Sequence, residues 1–180
     1  MLYCFDIAWI EAPNGFEAEQ IAAYMTNMPI AGLQADAVLT PDPDCLLFGA
    51  RLMLKNDKQK LYKYELTTIL HDAAIDLDGL IKVGVILGCD FAEKTTGIGP
   101  KTVIKKLPNI KLSDRQIDAF NYFKKPICKD VLSAIAVNSS GTDPFANSKK
   151  IHELFNWLNR VKGFNAGRLE SRFRNAKIII

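Results

Sequence analysis

The sequence LGCDFAEKTTGIGPKT, residues 87–102, joins an apolar run at 83–87 to an amphipathic run at 103–107. Asp90 lies at the end of the apolar run. The turn 97–99 should open a new helix, because Pro100 suits a first helical turn, where a missing N–H is harmless. This turn is predicted to bind an anion, because its glycines allow another backbone to approach closely and the amides at the helix start are free to donate. Positive charge is added by Lys101, Lys105 and Lys106. The anion implied is a phosphate of a nucleic-acid backbone. The plainer alternative is a helix hairpin with a glycine turn, which a lone Gly-x-Gly would favour.

Two acidic pairs precede this stretch. Glu17 and Glu19 open a predicted helix at 16–25, after a turn at 13–15, with Asn14 and Glu17 at the spacing of a capping box. Asp42 and Asp44 follow a predicted strand at 35–40. Because proline biases the residue before it toward extended geometry, Asp42 and Asp44 should point the same way past the carboxyl end of that strand. The alternatives are a surface capping box for the first pair and a solvated Asp-Pro turn for the second.

Five carboxylates can be drawn together in this way: Glu17, Glu19, Asp42, Asp44 and Asp90. So many acids in one cleft would repel each other strongly without cations. Hard oxygen ligands suit Mg²⁺, and Mn²⁺ would also fit. Two such ions about 4 Å apart activate a water and stabilise the leaving oxygen in phosphodiester cleavage.

The combination of LGCD at 87–90 with GIGPK at 97–101 resembles the junction between the internal nuclease region and the helix–hairpin–helix of flap endonucleases. These belong to the xeroderma-pigmentosum-G-type (XPG-type) 5′-nuclease family. Two more motifs match: Glu-Ala-Glu at 17–19, and Thr-Pro-Asp-Pro-Asp-Cys at 40–45 followed by Phe48-Gly49. The chain departs from the family pattern at Pro41, where a Glu is usual, and by two extra residues in the turn before Glu17.

The resemblance implies a divalent-metal nuclease that cuts branched or 5′-ended DNA, with a K⁺ ion often bridging the hairpin and the duplex phosphate. Glu17 and Glu19 would serve one metal, and Asp42, Asp44 and Asp90 the other. The residues implied to contact DNA are Gly97, Gly99, Lys101, Thr102 and Lys105.

Family members also carry an N-terminal region with two further metal-binding aspartates and a basic helical gateway. The resemblance implies that this region is absent from residues 1–180, and a separate N-terminal segment is therefore an expected partner. No clamp-binding tail of the Gln-x-x-Leu-x-x-Phe-Phe type follows Lys177.

The predicted fold is α/β: a partial, mainly parallel, PIN-like sheet followed by a helical region. Residues 1–90 would form the internal nuclease region, and residues 91–180 the helix–hairpin–helix and a C-terminal helical region. The remaining predictions are strands at 7–11 and 50–55, a turn at 56–58, helices at 63–70, 77–87, 113–123, 149–161 and 166–177, a linker at 108–112 and a loop at 138–148. Ser113 should cap the helix at 113–123, whose apolar face would consist of Ile117, Phe120 and Phe123. The helix at 149–161 should bury Ile151, Leu154, Phe155 and Leu158.

Composition narrows the class of protein. The chain has 180 residues, of which 48% are hydrophobic, so it should fold around a hydrophobic core. Its net charge of +3 is compatible with nucleic-acid binding but does not by itself indicate it. Four cysteines without a Cys-x-x-Cys pair, and only two histidines, argue against a zinc site. No apolar run reaches membrane length and no basic leader is seen, which predicts an intracellular protein, nuclear or cytoplasmic.

Three functions remain open. The leading one is a structure-specific, metal-dependent 5′-nuclease that cleaves flap-like or 5′-ended DNA in replication or repair. The second is a DNA-binding module that has lost catalysis with its N-terminal metal ligands. The third is a toxin-type nuclease acting on RNA, which the glycine hairpin disfavours because binding a duplex backbone is its natural use.

Overall fold

The computed structural model describes residues 9–58, 60–127, 129–138 and 148–175. Contacts divide the chain into two units, residues 12–135 and residues 1–11 with 136–180. The boundary expected between residues 90 and 91 lies inside the first unit, where helices on its two sides pack together. The boundary after residue 90 therefore separates two sequence motifs within one unit.

The described elements follow one another as a mixture of short strands and helices. In chain order they are β1 (Trp9–Ile10), α1 (Ala18–Asn27), β2 (Val38–Leu39), α2 (Asp44–Leu47), β3 (Leu52–Asp57), β4 (Lys60–Glu65), α3 (Leu66–Ala73), α4 (Leu77–Leu87), α5 (Pro100–Lys106), a 3₁₀ turn (Leu107–Asn109), α6 (Asp114–Phe123), α7 (Lys129–Ala134), β5 (Val137–Asn138), α8 (Ser148–Arg160) and α9 (Ala166–Asn175).

The first unit contains a three-stranded sheet in the order β2-β3-β4. β2 and β3 are parallel, with Val38 opposite Met53, whereas β3 and β4 form an antiparallel hairpin. The α/β class is confirmed, but among the described residues parallel pairing is limited to the β2–β3 pair. The helix predicted at 63–70 was wrong at its start, because residues 63–65 pair with β3 and helix α3 begins only at Leu66.

Two apolar clusters hold this unit together. One joins α1, β2, α2 and β3 through Ala23, Val38, Cys45, Leu46, Ala50 and Met53. The other joins α2, α4 and α6 through Leu47, Ile81, Val85, Ala92, Ala119 and Phe123. Because α2 contributes to both clusters, it fixes the acidic segment before it against the rest of the unit.

The helix predicted at 77–87 has those bounds in the structure, and Asp76 caps it by accepting a hydrogen bond from the Gly79 amide (2.8 Å). The predicted cap of α6 is also present: the Ser113 side chain accepts from the Gln116 amide. The apolar face predicted for α6 was partly wrong, because Ile117 is exposed and Gln116 is buried in the interior. The glycine at the end of α4 and the serine before α6 were reliable boundary signals.

The second unit contains a short antiparallel pair, β1 with β5, in which Trp9 lies opposite Asn138. Helices α8 and α9 pack through Ile151, Leu154, Leu169 and Phe173. The predicted burial of Ile151 and Leu154 is confirmed, while Phe155 and Leu158 are only partly buried. Most of the loop predicted at 138–148 lies outside the described residues. No helix in the described part of the chain is both long and apolar enough to cross a membrane.

Candidate functional site

Glu17 and Glu19 are placed by the turn that leads into α1. The Phe16 amide donates to the Pro13 carbonyl (3.0 Å), and Glu17 then takes the N-cap position in extended geometry. The capping box predicted for Asn14 and Glu17 was wrong, because Glu17 is itself the N-cap and no side chain caps the helix. Lys125, two residues after the end of α6, contacts this turn: its Nζ lies 4.3 Å from the centre of the Phe16 ring and donates to the Gly15 carbonyl.

Asp42 and Asp44 lie in a chain of turns rather than in an extended segment. The Thr40 hydroxyl accepts from the Asp42 amide (3.1 Å), and Asp42 Oδ1 accepts from the Asp44 amide (3.0 Å). Pro43 has right-handed helical geometry, and Asp44 is the first residue of α2. The predicted extended spacing was therefore wrong, although both acids do follow the carboxyl end of β2 as expected.

Asp90 lies at the tip of a compact loop after α4. Gly88 turns the chain with a φ of +96°, and Cys89 and Ala92 exchange two backbone hydrogen bonds across Asp90. A Cβ at Gly88 would lie 3.1 Å from the Lys94 backbone nitrogen, so the loop closes against this glycine. The Asp90 side chain is exposed.

Close helix packing brings the three acidic segments toward one another. α2 contacts both α1 and α4. A Cβ at Gly84 of α4 would lie only 2.6 Å from Leu47 Cδ1 of α2, so these helices approach as closely as a glycine permits. The segments that carry Glu17, Asp44 and Asp90 are therefore neighbours in space, although they are far apart in sequence.

The electrostatics of the five acids place them in one shared field. The pKa of Asp44 is raised to about 6, first by burial and then by the charges of Asp42, Asp90, Glu17 and Glu19. The pKa of Glu17 is also raised, again first by burial and then by Glu19, Asp90 and Asp42. A group of carboxylates whose negative charges raise the pKa of Asp44 and Glu17 forms a site that attracts cations.

Within the described residues, no three His, Cys, Asp or Glu side chains lie close enough together to hold a metal ion. The expectation that Asp42, Asp44 and Asp90 would lie within coordination distance of one ion is thus not met as the side chains stand. Repulsion between unneutralised carboxylates favours positions that are farther apart. The chemistry of the set fits a hard divalent cation, and its assignment as a ligand set stays a prediction.

Two further side chains, Cys45 and Tyr122, have pKa values that burial and then the acids of this site raise. Burial, followed by the charges of Asp42, Glu19 and Asp44, raises the pKa of the Cys45 thiol to about 12, so this cysteine is inert. Burial and then the charge of Glu17 raise the pKa of Tyr122. Cys45 directly follows Asp44 in the matched motif, whereas Tyr122 has no local sequence signal because α6 reaches the acids only through the folded packing.

The glycine hairpin at 97–99 begins α5 as predicted. Gly99 is the N-cap, and Thr102 Oγ1 donates to the Gly99 carbonyl (3.1 Å) while accepting from its amide. A Cβ atom added at Gly97 or Gly99 would meet nothing within 4 Å, and Gly97 has a φ of +75°. Lys101 and Lys105 are exposed beside this open surface. The hairpin therefore presents backbone and positive charge to solvent.

Comparison with known proteins gives a consistent family. The XPG I-region family model matches residues 6–90. Flap endonuclease 1 of Methanobrevibacter smithii is 36% identical over 110 residues, which are 58% of this chain and 32% of that protein. The chain spans about half or less of the length of the curated relatives it matches.

Solved structures agree on the fold. Flap endonuclease-1 from Methanococcus jannaschii superposes with a TM-score of 0.71 at 24% identity, covering 94% of this chain and 52% of that one. The catalytic core of Rad2 in complex with a DNA substrate gives a TM-score of 0.63 at 19% identity, covering 99% and 66%. The fold is thus that of a flap-endonuclease-type nuclease core. The XPG I-region match over residues 6–90 and the flap endonuclease relatives support the flap endonuclease and XPG-type 5′-nuclease family for this chain.

Proposed function

We propose that the chain is a structure-specific, divalent-metal-dependent 5′-nuclease that cleaves DNA phosphodiesters in flap-like or 5′-ended duplexes, in replication or repair. The observation that carries this proposal is the packing of α2 against α1 and α4, which brings the acidic segments together so that four other carboxylates raise the pKa of Asp44. Acids from three separate segments have no structural reason to be brought together in this way, since their repulsion destabilises the fold.

Each acid has a distinct proposed role. Glu17 and Glu19, at the start of α1, would hold one Mg²⁺ or Mn²⁺ ion, and Asp42, Asp44 and Asp90 would hold a second. Such a pair of ions supplies an activated water and stabilises the leaving oxygen. The hydrogen bond from the Asp44 amide to Asp42 fixes the second pair, because it ties the Asp42 carboxylate to the first turn of α2.

The hairpin would position the duplex without reading its sequence. Open space over Gly97 and Gly99 lets a phosphate approach the peptide groups, and Lys101 and Lys105 add charge beside them. A K⁺ ion at this hairpin would bridge the backbone and the phosphate. The partner is therefore duplex DNA with a 5′ flap or 5′ end, inside a cell compartment that contains DNA.

The test measures cleavage of a labelled 5′-flap duplex, with Mg²⁺, with Mn²⁺ and with a chelator. Asp42→Ala should lower the cleavage rate by roughly 10²–10³-fold, since one ligand of a two-metal site supplies several kcal/mol and each 1.36 kcal/mol is tenfold. Asp36→Ala is the matched control, because Asp36 is an exposed acid that does not contribute to the raised pKa of Asp44.

Two results would reject the nuclease proposal. Cleavage that persists in the chelator would exclude a metal-dependent site. Duplex binding without any metal-dependent cleavage would assign the chain to the DNA-binding alternative.

A further inference from the structure

Gln116 has no assigned role in the site, yet its side chain is almost completely buried at 5% exposure. Its Nε2 group donates to the Val85 carbonyl (3.1 Å), the Glu93 carbonyl (3.2 Å) and Thr95 Oγ1 (2.9 Å). One acceptor belongs to α4 and two belong to the loop that follows it. A single amide therefore ties the start of α6 to both ends of the loop that carries Asp90.

Two of the contacts of Gln116 lie on the loop that joins Asp90 to the glycine hairpin. The loop leaves α4 at Gly88, carries Asp90 at its tip and returns to α4 where the Thr95 amide donates to the Ile86 carbonyl (2.8 Å). The glycine hairpin begins two residues later, at Gly97. Gln116 therefore contacts the one backbone segment that lies between the candidate metal ligand and the candidate DNA-binding hairpin.

The other half of the Gln116 side chain has a separate task. Oε1 accepts from the Ser113 amide (3.1 Å), which completes the capping box of α6. The amide oxygen thus caps the helix, while the amide nitrogen holds the loop. These two tasks can be separated by mutation, because Ser113 takes part only in the first.

We infer that Gln116 is a positioning residue that fixes Asp90 relative to the Gly97–Gly99 hairpin, so that a bound duplex phosphate and the bound cation keep a constant separation. This inference rests on the proposed nuclease function. Gln116 does not touch the reacting atoms and acts through the loop backbone. Mutation of residues that orient a metal ligand without contacting the metal typically lowers metal affinity or activity by about 10–100-fold.

The experiment compares Gln116→Met with Ser113→Ala in the full chain. Gln116→Met keeps the length of the side chain and removes its donors, whereas Ser113→Ala removes the helix cap and leaves the donors in place. Thr95→Val is a milder third variant that deletes one acceptor without changing shape. Mn²⁺ affinity is taken from the shift in melting temperature that the metal produces. Duplex affinity, and hydrogen exchange of the hydrogen-bonded amides of Cys89, Ala92 and Thr95 in metal-free protein, are measured below the unfolding transition.

Gln116→Met should speed exchange of these three amides and weaken Mn²⁺ binding about tenfold. Thr95→Val should give a smaller change in the same direction, and Ser113→Ala should lower the melting temperature without changing Mn²⁺ affinity.

Two outcomes would overturn the inference: wild-type loop exchange in Gln116→Met, or wild-type Mn²⁺ affinity in that variant. Equal loss of Mn²⁺ affinity in Ser113→Ala would also overturn it, since the effect would then follow helix stability. Wild-type protein that neither binds Mn²⁺ nor cleaves DNA would instead contradict the proposed function itself.

Discussion

Replacing Asp44 with asparagine should stabilise the metal-free protein at neutral pH. The pKa of this carboxyl rises from 3.8 to about 6 on folding, chiefly through burial and then through four neighbouring acids. An acid with a raised pKa binds its proton more tightly in the folded state. Its contribution to stability is therefore fully present below about pH 4 and is lost as the pH rises through about 6.

The magnitude follows from the size of the shift. About two pKa units correspond to roughly 3 kcal/mol before screening. The side chain is only half-buried, and solvent screening reduces this to about 1–2 kcal/mol. Asp44→Asn removes the charge and keeps the backbone hydrogen bond to Asp42, so the variant should gain about that much stability near neutral pH.

The assay is urea unfolding at about pH 7 and about pH 4, in a chelator and in saturating Mg²⁺. In the chelator the variant should be the more stable protein at the higher pH, and the gain should vanish at the lower pH. In Mg²⁺ the order should reverse, because a ligand present at about 100 times its Kd stabilises the wild type by roughly 2.7 kcal/mol. Asp36→Asn, at an exposed acid, should change stability by less than about 0.5 kcal/mol.

The reasoning would be refuted by a metal-free Asp44→Asn variant that is less stable than the wild type near neutral pH. It would also fail if Mg²⁺ stabilised the variant and the wild type equally. The first result would contradict the shared field, and the second would remove Asp44 from the ligand set.

Three further predictions concern the glycines and the hairpin. Gly88→Ala should destabilise the protein by about 1–3 kcal/mol in urea, because φ is +96° there and the new Cβ would meet the Lys94 backbone; an unchanged midpoint would contradict the loop geometry. Gly84→Ala should cost about 1–3 kcal/mol by pushing α2 away from α4, measured in the same way, and a stabilised variant would show that Leu47 has room to move. Gly99→Val should weaken binding to all duplex sequences alike, and Lys101→Ala should reduce the slope of log affinity against log salt by about one; fluorescence anisotropy over a salt series measures both, and a sequence-selective loss would count against backbone binding.

The sequence was most informative where local signals decide the structure. The bounds of α4 could be predicted because an apolar run ends at Gly88, and the start of α5 because Gly99 precedes Pro100. The cap at Ser113 was equally local. The candidate acids could be identified from sequence motifs. That their charges act on one another became evident only from the packing of α1, α2 and α4.

The predictions that were wrong concern residues whose structure depends on contacts that the sequence pattern does not show. Residues 63–65 belong to a strand because their pairing with β3 outweighs local helix preference. The segment at 42–44 is not extended because the Asp42 side chain accepts the Asp44 amide and helical geometry at Pro43 then follows. The Nε2 contacts of Gln116 are with residues 21 to 31 positions away in the sequence, which no local pattern indicates.

The open surface over Gly97 and Gly99 has a consequence for how this protein should be mutated. A contact made by peptide groups has no side chain to delete, so truncating neighbours to alanine removes none of it. Alanine at Gly99 itself adds a methyl group where nothing lies within 4 Å, and φ is unstrained there. An alanine scan would therefore miss the backbone contact at Gly99, which only a bulkier side chain would block, whereas alanine at Gly97 would strain the turn because φ is +75° there.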